Sequence, residues 1–140
     1  MTLIDFHILG HSDSSAAMHY ACRLTEKAWR AGHQVYLHCE DVDATEALDA
    51  MLWQYRDESF IPHSRHPADN NPVLVGCGEH AGEHCDVIVN LAKEVPVFFS
   101  RFKRLAEIVT QQNDSLSASR ERYSFYKNRG YPLKTHTIKG

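Results

Sequence analysis

Residues 76–86, GCGEHAGEHCD, hold the densest group of side chains able to do chemistry. Cys77, His80, His84 and Cys85 offer soft ligands within nine positions, and zinc accepts mixed Cys/His sets. Their spacing matches no common zinc module, and the alternative is a solvated loop between two strands with Cys85 tucked inward. A second cluster, His11, Ser12 and Asp13 in ILGHSDSSAA, has the residue types of a hydrolytic triad. Neighbours on one turn seldom point at one another, however, and Ser or Asp ahead of a helix is better explained as capping. The same turn has one glycine and neither GxGxxG nor GxxxxGK, so no functional nucleotide site is expected there.

The elements that would position these residues follow from periodicity. LIDFHIL (3–9), HQVYLHC (33–39), VLVG (73–76) and DVIVNL (86–91) read as strands. RLAEIVT (104–110) fits strand or helix, with Ile108-Val109-Thr110 favouring strand, and YPLKTHTI (131–138) closes the set. Ala17, Tyr20, Ala21, Leu24, Ala28 and Ala31 recur at helical steps up to Gly32. Strand, helix and strand within about forty residues make a βαβ unit with parallel strands. Asp43-Ala44-Thr45-Glu46 has capping-box spacing ahead of the stripe Leu48, Met51, Leu52 and Tyr55. Residues 62–72 read as a polar loop, and Asp114 should cap a last helix that runs through Arg129 to Gly130. These elements make one three-layer α/β domain over residues 1–140.

Composition narrows the function. With 43% hydrophobic and 24% charged residues and no apolar run of membrane-spanning length, the chain is expected to be cytoplasmic. Cys22 and Cys39 fall in apolar-periodic segments and no CxxC occurs, which favours reduced thiols over a disulfide framework. The net charge of −3 is unevenly spread: residues 1–100 carry 6 Lys/Arg against 15 Asp/Glu, and residues 101–140 carry 9 against 3. The last segment is thus suited to an anionic partner, whereas the overall negative charge disfavours duplex DNA.

Two stretches carry unusual surface chemistry. In LWQYRDESFIPH (52–63), Trp53 points roughly 140° away from Leu48 on a helical wheel, off the core stripe. With Phe60-Ile61-Pro62 nearby and Arg56, Asp57 and Glu58 as a polar rim, it is either satellite core or an interface anchor. On the last helix, Leu116, Arg120, Tyr123 and Lys127 share one side, while Ala118, Arg122 and Phe125 share the other, with Tyr126 between. If Ala118 and Phe125 pack on the sheet, the outer face combines a ring with two cations and fits a short acidic peptide or a terminal carboxylate.

ALDAMLWQYRDESFIPH, DVIVNL and DSLSASRERYSFYKNRGY, in this order and spacing, resemble the chi subunit family of bacterial DNA polymerase III holoenzyme. The resemblance covers nearly the whole chain and is weakest over 64–85. It implies a Rossmann-like fold with a mostly parallel sheet, no catalytic site of its own and no cofactor. It also implies a one-to-one heterodimer with the psi subunit and contact with the acidic C-terminal tail of single-stranded-DNA-binding protein, with nucleic acid met only indirectly and no membrane partner. The family's psi-binding Trp and Phe-x-Pro match Trp53, Phe60 and Pro62, with Ile61 and His63 in the same run. The tail-binding Arg and Tyr match Arg120 and Tyr123. Ser124 stands where the family has a lysine, and Lys127, one turn beyond Tyr123, is expected to supply part of that charge. The rival reading is a small metal-dependent α/β enzyme built on residues 77–85.

Overall fold

Neighbouring side chains on each central strand point to opposite faces, and both faces are buried. In the computed structural model, which describes residues 1–55, 61–69, 71–78 and 81–139, seven strands form one parallel sheet. They are β1 (Leu3–Leu9), β2 (Val35–His38), β3 (His63–Ser64), β4 (Val73–Gly76), β5 (Val87–Asn90), β6 (Arg104–Val109) and β7 (Leu133–Ile138), in the spatial order β3-β4-β2-β5-β6-β1-β7. Val35, Leu37, Val73, Val75, Val87, Val89, Ala106 and Ile108 face one core. Tyr36, Leu74, Ile88, Leu105 and Val109 face the other. This is why these strands read as apolar runs rather than as alternating ones.

Among the described residues, three helices cover the sheet. The helices α1 (Ser14–Arg30) and α2 (Val42–Gln54) bury Ala17, Ala21, Cys22, Leu48 and Leu52 in the first core. On the opposite face, α3 (Asn113–Asn128) buries Tyr126 beside Phe99 and Phe102. The architecture is the three-layer, Rossmann-like α/β arrangement expected, with a sheet that is wholly parallel. Although β1 and β2 are parallel as the βαβ reading requires, β6 and β5 lie between them. That insertion involves strands more than fifty positions further along the chain, beyond the reach of local pattern.

Several boundaries differ from expectation. Asp41, in extended backbone, accepts a hydrogen bond from Ala44 N at 2.8 Å and caps α2 two residues ahead of the expected Asp43. Asp114 lies inside the first turn of α3, whose cap position is Gln112 without a side-chain bond. There Ser115 Oγ instead accepts from Thr110 N at 3.0 Å and ties the helix entry to the end of β6. The segment 62–72 is not only a loop: it contains β3 and a short 3-10 turn at Pro67–Asp69, joined by the Ser64 Oγ to Asp69 Oδ2 bond of 2.7 Å. A strand of two residues carries no readable period. Both long helices that end in glycine do so as the sequence requires, Gly32 with φ of 93° and Gly130 with φ of 79°.

Candidate functional site

At the β3 edge of the sheet, helix α2 places Trp53 outside the core stripe, and the side chain is 58% exposed. The indole ring meets the His63 ring edge-on, with centroids 4.7 Å apart and planes at 60°. His63 is itself anchored: Nδ1 lies 2.6 Å from the Ile61 carbonyl oxygen, and Nε2 lies 3.5 Å from Asp49, one turn before Trp53 on α2. Arg65 stands 3.8 Å from Glu46 and 4.0 Å from Asp49, adding a polar rim. The expected surface therefore has depth. Trp53 is exposed and Pro62 half-buried, whereas Ile61 is 1% exposed within the core and His63 is buried beneath the indole. Phe60 lies outside the described residues.

The second surface is the outer side of α3. Arg120, Ser124 and Lys127 are exposed, and Tyr123 is 36% exposed while its ring meets buried Phe6 edge-on at 5.4 Å. Positions i, i+3, i+4 and i+7 bring the four onto one face. Among the described residues, neither Arg120 nor Lys127 takes part in an ion pair. An aromatic ring fixed at its base and two available cations can hold an apolar side chain beside carboxylates.

What turns that face outward is a buried network absent from the sequence-based expectation. Ser119, Arg122 and Tyr126 form the inner stripe of α3. Ala118 and Phe125 are only half-buried, with Phe125 between Phe99 and the Arg129 guanidinium. Arg122 Nε donates to Glu107 Oε1 at 2.9 Å, its Nη1 donates to the Lys93 carbonyl at 2.8 Å, and Tyr126 OH donates to Glu107 Oε2. Asn90 Nδ2 also donates to Glu107 Oε1 at 2.9 Å. Burial pushes the Glu107 carboxyl above its usual range, against the charge of Arg122 and the bonds from Tyr126 and Asn90. The available signal was a glutamate inside the apolar run that follows Arg104 in the strand RLAEIV, which demands a cation nearby.

The remaining clusters have other roles. In the 77–85 segment Cys85 is exposed rather than tucked inward, and His84 is the buried residue, its Nε2 3.1 Å from the Pro72 carbonyl oxygen. Cys77 is half-buried and His80 is outside the described residues. Among the described residues no group of three or more His, Cys, Asp or Glu is arranged to hold a metal. Arg101 secures this segment by donating to the carbonyls of Gly82 at 2.9 Å and His84 at 3.1 Å. Asp13 caps α1, accepting from Ala16 N at 2.9 Å, so a carboxylate of the chain already occupies the helix end where a doubly wound fold cradles phosphate. Cys22 and Cys39 are buried free thiols, with burial pushing both up to about 12. Among the described residues no helix is long and apolar enough to cross a membrane.

Comparison with known proteins gives a consistent result. The family described as DNA polymerase III chi subunit, HolC, matches residues 1–134. The chain is similar to DNA polymerase III subunit chi of Pseudomonas aeruginosa, with 45% identity over 139 residues, 99% of this chain and 98% of that one. The corresponding Escherichia coli subunit is 29% identical over 129 residues, 89% of this chain and 88% of that one. The Haemophilus influenzae subunit is 26% identical over 140 residues, 95% of each.

Proposed function

The chain belongs to the DNA polymerase III chi subunit family, and from that premise we propose that it is a non-catalytic adaptor with two docking surfaces. One, built on Trp53 and Pro62 with Ile61 and His63 in the same run, and including Phe60 by the family resemblance, receives the psi subunit in a one-to-one complex. The other, built on Arg120, Tyr123, Ser124 and Lys127, receives the acidic C-terminal tail of single-stranded-DNA-binding protein. The observation that carries this reading is the 58% exposure of Trp53, held in place by the anchored His63 ring at a sheet edge. A large aromatic with a fixed base and a charged rim loses little conformational entropy on docking and buries much apolar area.

The Tyr123 face supports the second surface in the same way. A ring braced on Phe6 offers apolar contact, and Arg120 and Lys127 offer charge within a turn on either side. Calorimetric titration of the protein with purified psi, and separately with a tail peptide, tests both surfaces. Trp53→Ala should weaken psi alone and Arg120→Ala the tail alone. Unchanged affinities for both would refute the assignment.

A further inference from the structure

On the face of the sheet covered by α1 and α2, the strip formed by β6, β1 and β7 lies beside α1 and forms a groove of about 750 Å³. Its α1 wall presents Arg23, Lys27 and Arg30, all exposed. At 100° per residue these positions fall within about 60° of the helix circumference, and they extend over roughly 10 Å of its axis. They are three of the six Lys/Arg found in residues 1–100, a region with 15 Asp/Glu, so half of that region's cations share one stripe.

The strand side adds Arg104 and a set of rings. Asp5 is held by Arg104 at 2.8 Å and by His136 at 3.0 Å, and Glu26 lies 3.8 Å from Arg30. With these two acids set against four lining cations, the groove is positive in a protein whose net charge is −3. His7 accepts or donates at Nδ1 with Tyr20 OH at 2.7 Å, and its ring stacks on His136 at 5.2 Å between centroids. The His136 side chain remains 45% exposed, and Arg23 lies over the Tyr20 ring at 5.4 Å.

We propose that this groove binds the backbone of single-stranded DNA directly. A series of cations one turn apart matches a ligand with repeating negative charge rather than a single terminal carboxylate. Partly exposed rings at the groove floor offer surfaces on which bases stack, a second feature that an acidic peptide would not use. The groove is too small for a duplex and large enough for a few nucleotides of one strand. DNA is the source to which a DNA polymerase III subunit is exposed. This contact goes beyond the adaptor reading, departs from the indirect nucleic-acid contact that the family resemblance implies, and does not rest on either docking surface.

Fluorescence anisotropy with a labelled 15-nucleotide oligodeoxythymidylate tests it. At low salt we expect binding in the range of about 10 to 100 μM, weakening steeply as salt rises. The double variant Arg23→Ala/Lys27→Ala should bind at least fivefold more weakly, and its dependence of log K on log salt should be shallower by about 1.4, roughly 0.7 for each lost phosphate contact. Lys93→Ala, an exposed cation of the same region outside the groove, should bind as the unsubstituted protein does. The absence of binding at low salt would overturn the proposal, as would an equal loss in Arg120→Ala, which would move the contact to α3. Displacement by polyglutamate as effective as by unlabelled oligonucleotide would instead identify an acidic-peptide site.

Discussion

Arg122 on α3 and Glu107 on β6 meet at 2.9 Å in the interior, where the glutamate side chain is wholly inaccessible. Replacing the arginine by methionine keeps most of the packing but strands the carboxyl among apolar atoms. Arg122→Met should therefore lower unfolding free energy by about 3 kcal/mol or more in urea denaturation. Without the cation the Glu107 carboxyl is held further above its unfolded value, so its proton is retained in the fold and stability falls as pH rises. The deficit should be smallest near pH 4.5 and grow toward neutrality; a deficit independent of pH would show that the pair is not what carries it.

At the opposite end of the sheet the exposed indole and the buried isoleucine should behave differently on truncation. Trp53→Ala should weaken psi binding by about 2 kcal/mol with little change in melting temperature, as expected for an anchor outside the core. Ile61→Ala should instead cost about 2 to 5 kcal/mol of stability. Thermal melts together with titration of psi check both, and a Trp53→Ala protein that unfolds like Ile61→Ala would assign the indole to the core.

For the tail-binding surface the expected affinity is micromolar at best, because exposed charge pairs are screened at physiological ionic strength. Arg120→Ala should cost more than Ser124→Ala, since only the first removes a charge, and Ser124→Lys should tighten binding. Calorimetry at two salt concentrations decides this: three equal affinities would mean that the tail docks elsewhere.

His7 makes the stability pH-dependent. Burial first, and then the charge of His136, lowers its pKa from 6.5 to about 4. Between those values the unfolded chain binds a proton that the fold does not, so stability falls as pH drops from 6.5 to 4. The loss should be on the order of 2 kcal/mol, discounted from the full shift because the ring is half-buried. His38 and His84 are also lowered by burial and act with the same sign. His7→Leu should therefore flatten the pH profile of the melting temperature without abolishing its slope; an unchanged slope would remove His7 from the account.

The sequence alone determined the features that depend on neighbouring residues. Strands appeared as apolar runs because both of their faces are covered, and RLAEIV was legible as a strand from its β-branched residues. Gly32 and Gly130 marked helix ends through backbone freedom, and the angular offset of Trp53 from Leu48 placed it off the core stripe, while only the tertiary structure decided between satellite core and the 58% exposure found. Tertiary structure decided what depends on partners distant in the chain. The inner stripe of α3 was not legible because it is polar, and a helical wheel cannot rank Arg122 as buried until β6 supplies Glu107. Likewise the orientations of His84 and Cys85 were set by the Pro72 carbonyl and the Arg101 clamp, and no periodicity runs through that segment. The cationic stripe of α1 was present in the sequence, but it lines a groove only because β6, β1 and β7 lie side by side, an order imposed by crossovers spanning most of the chain.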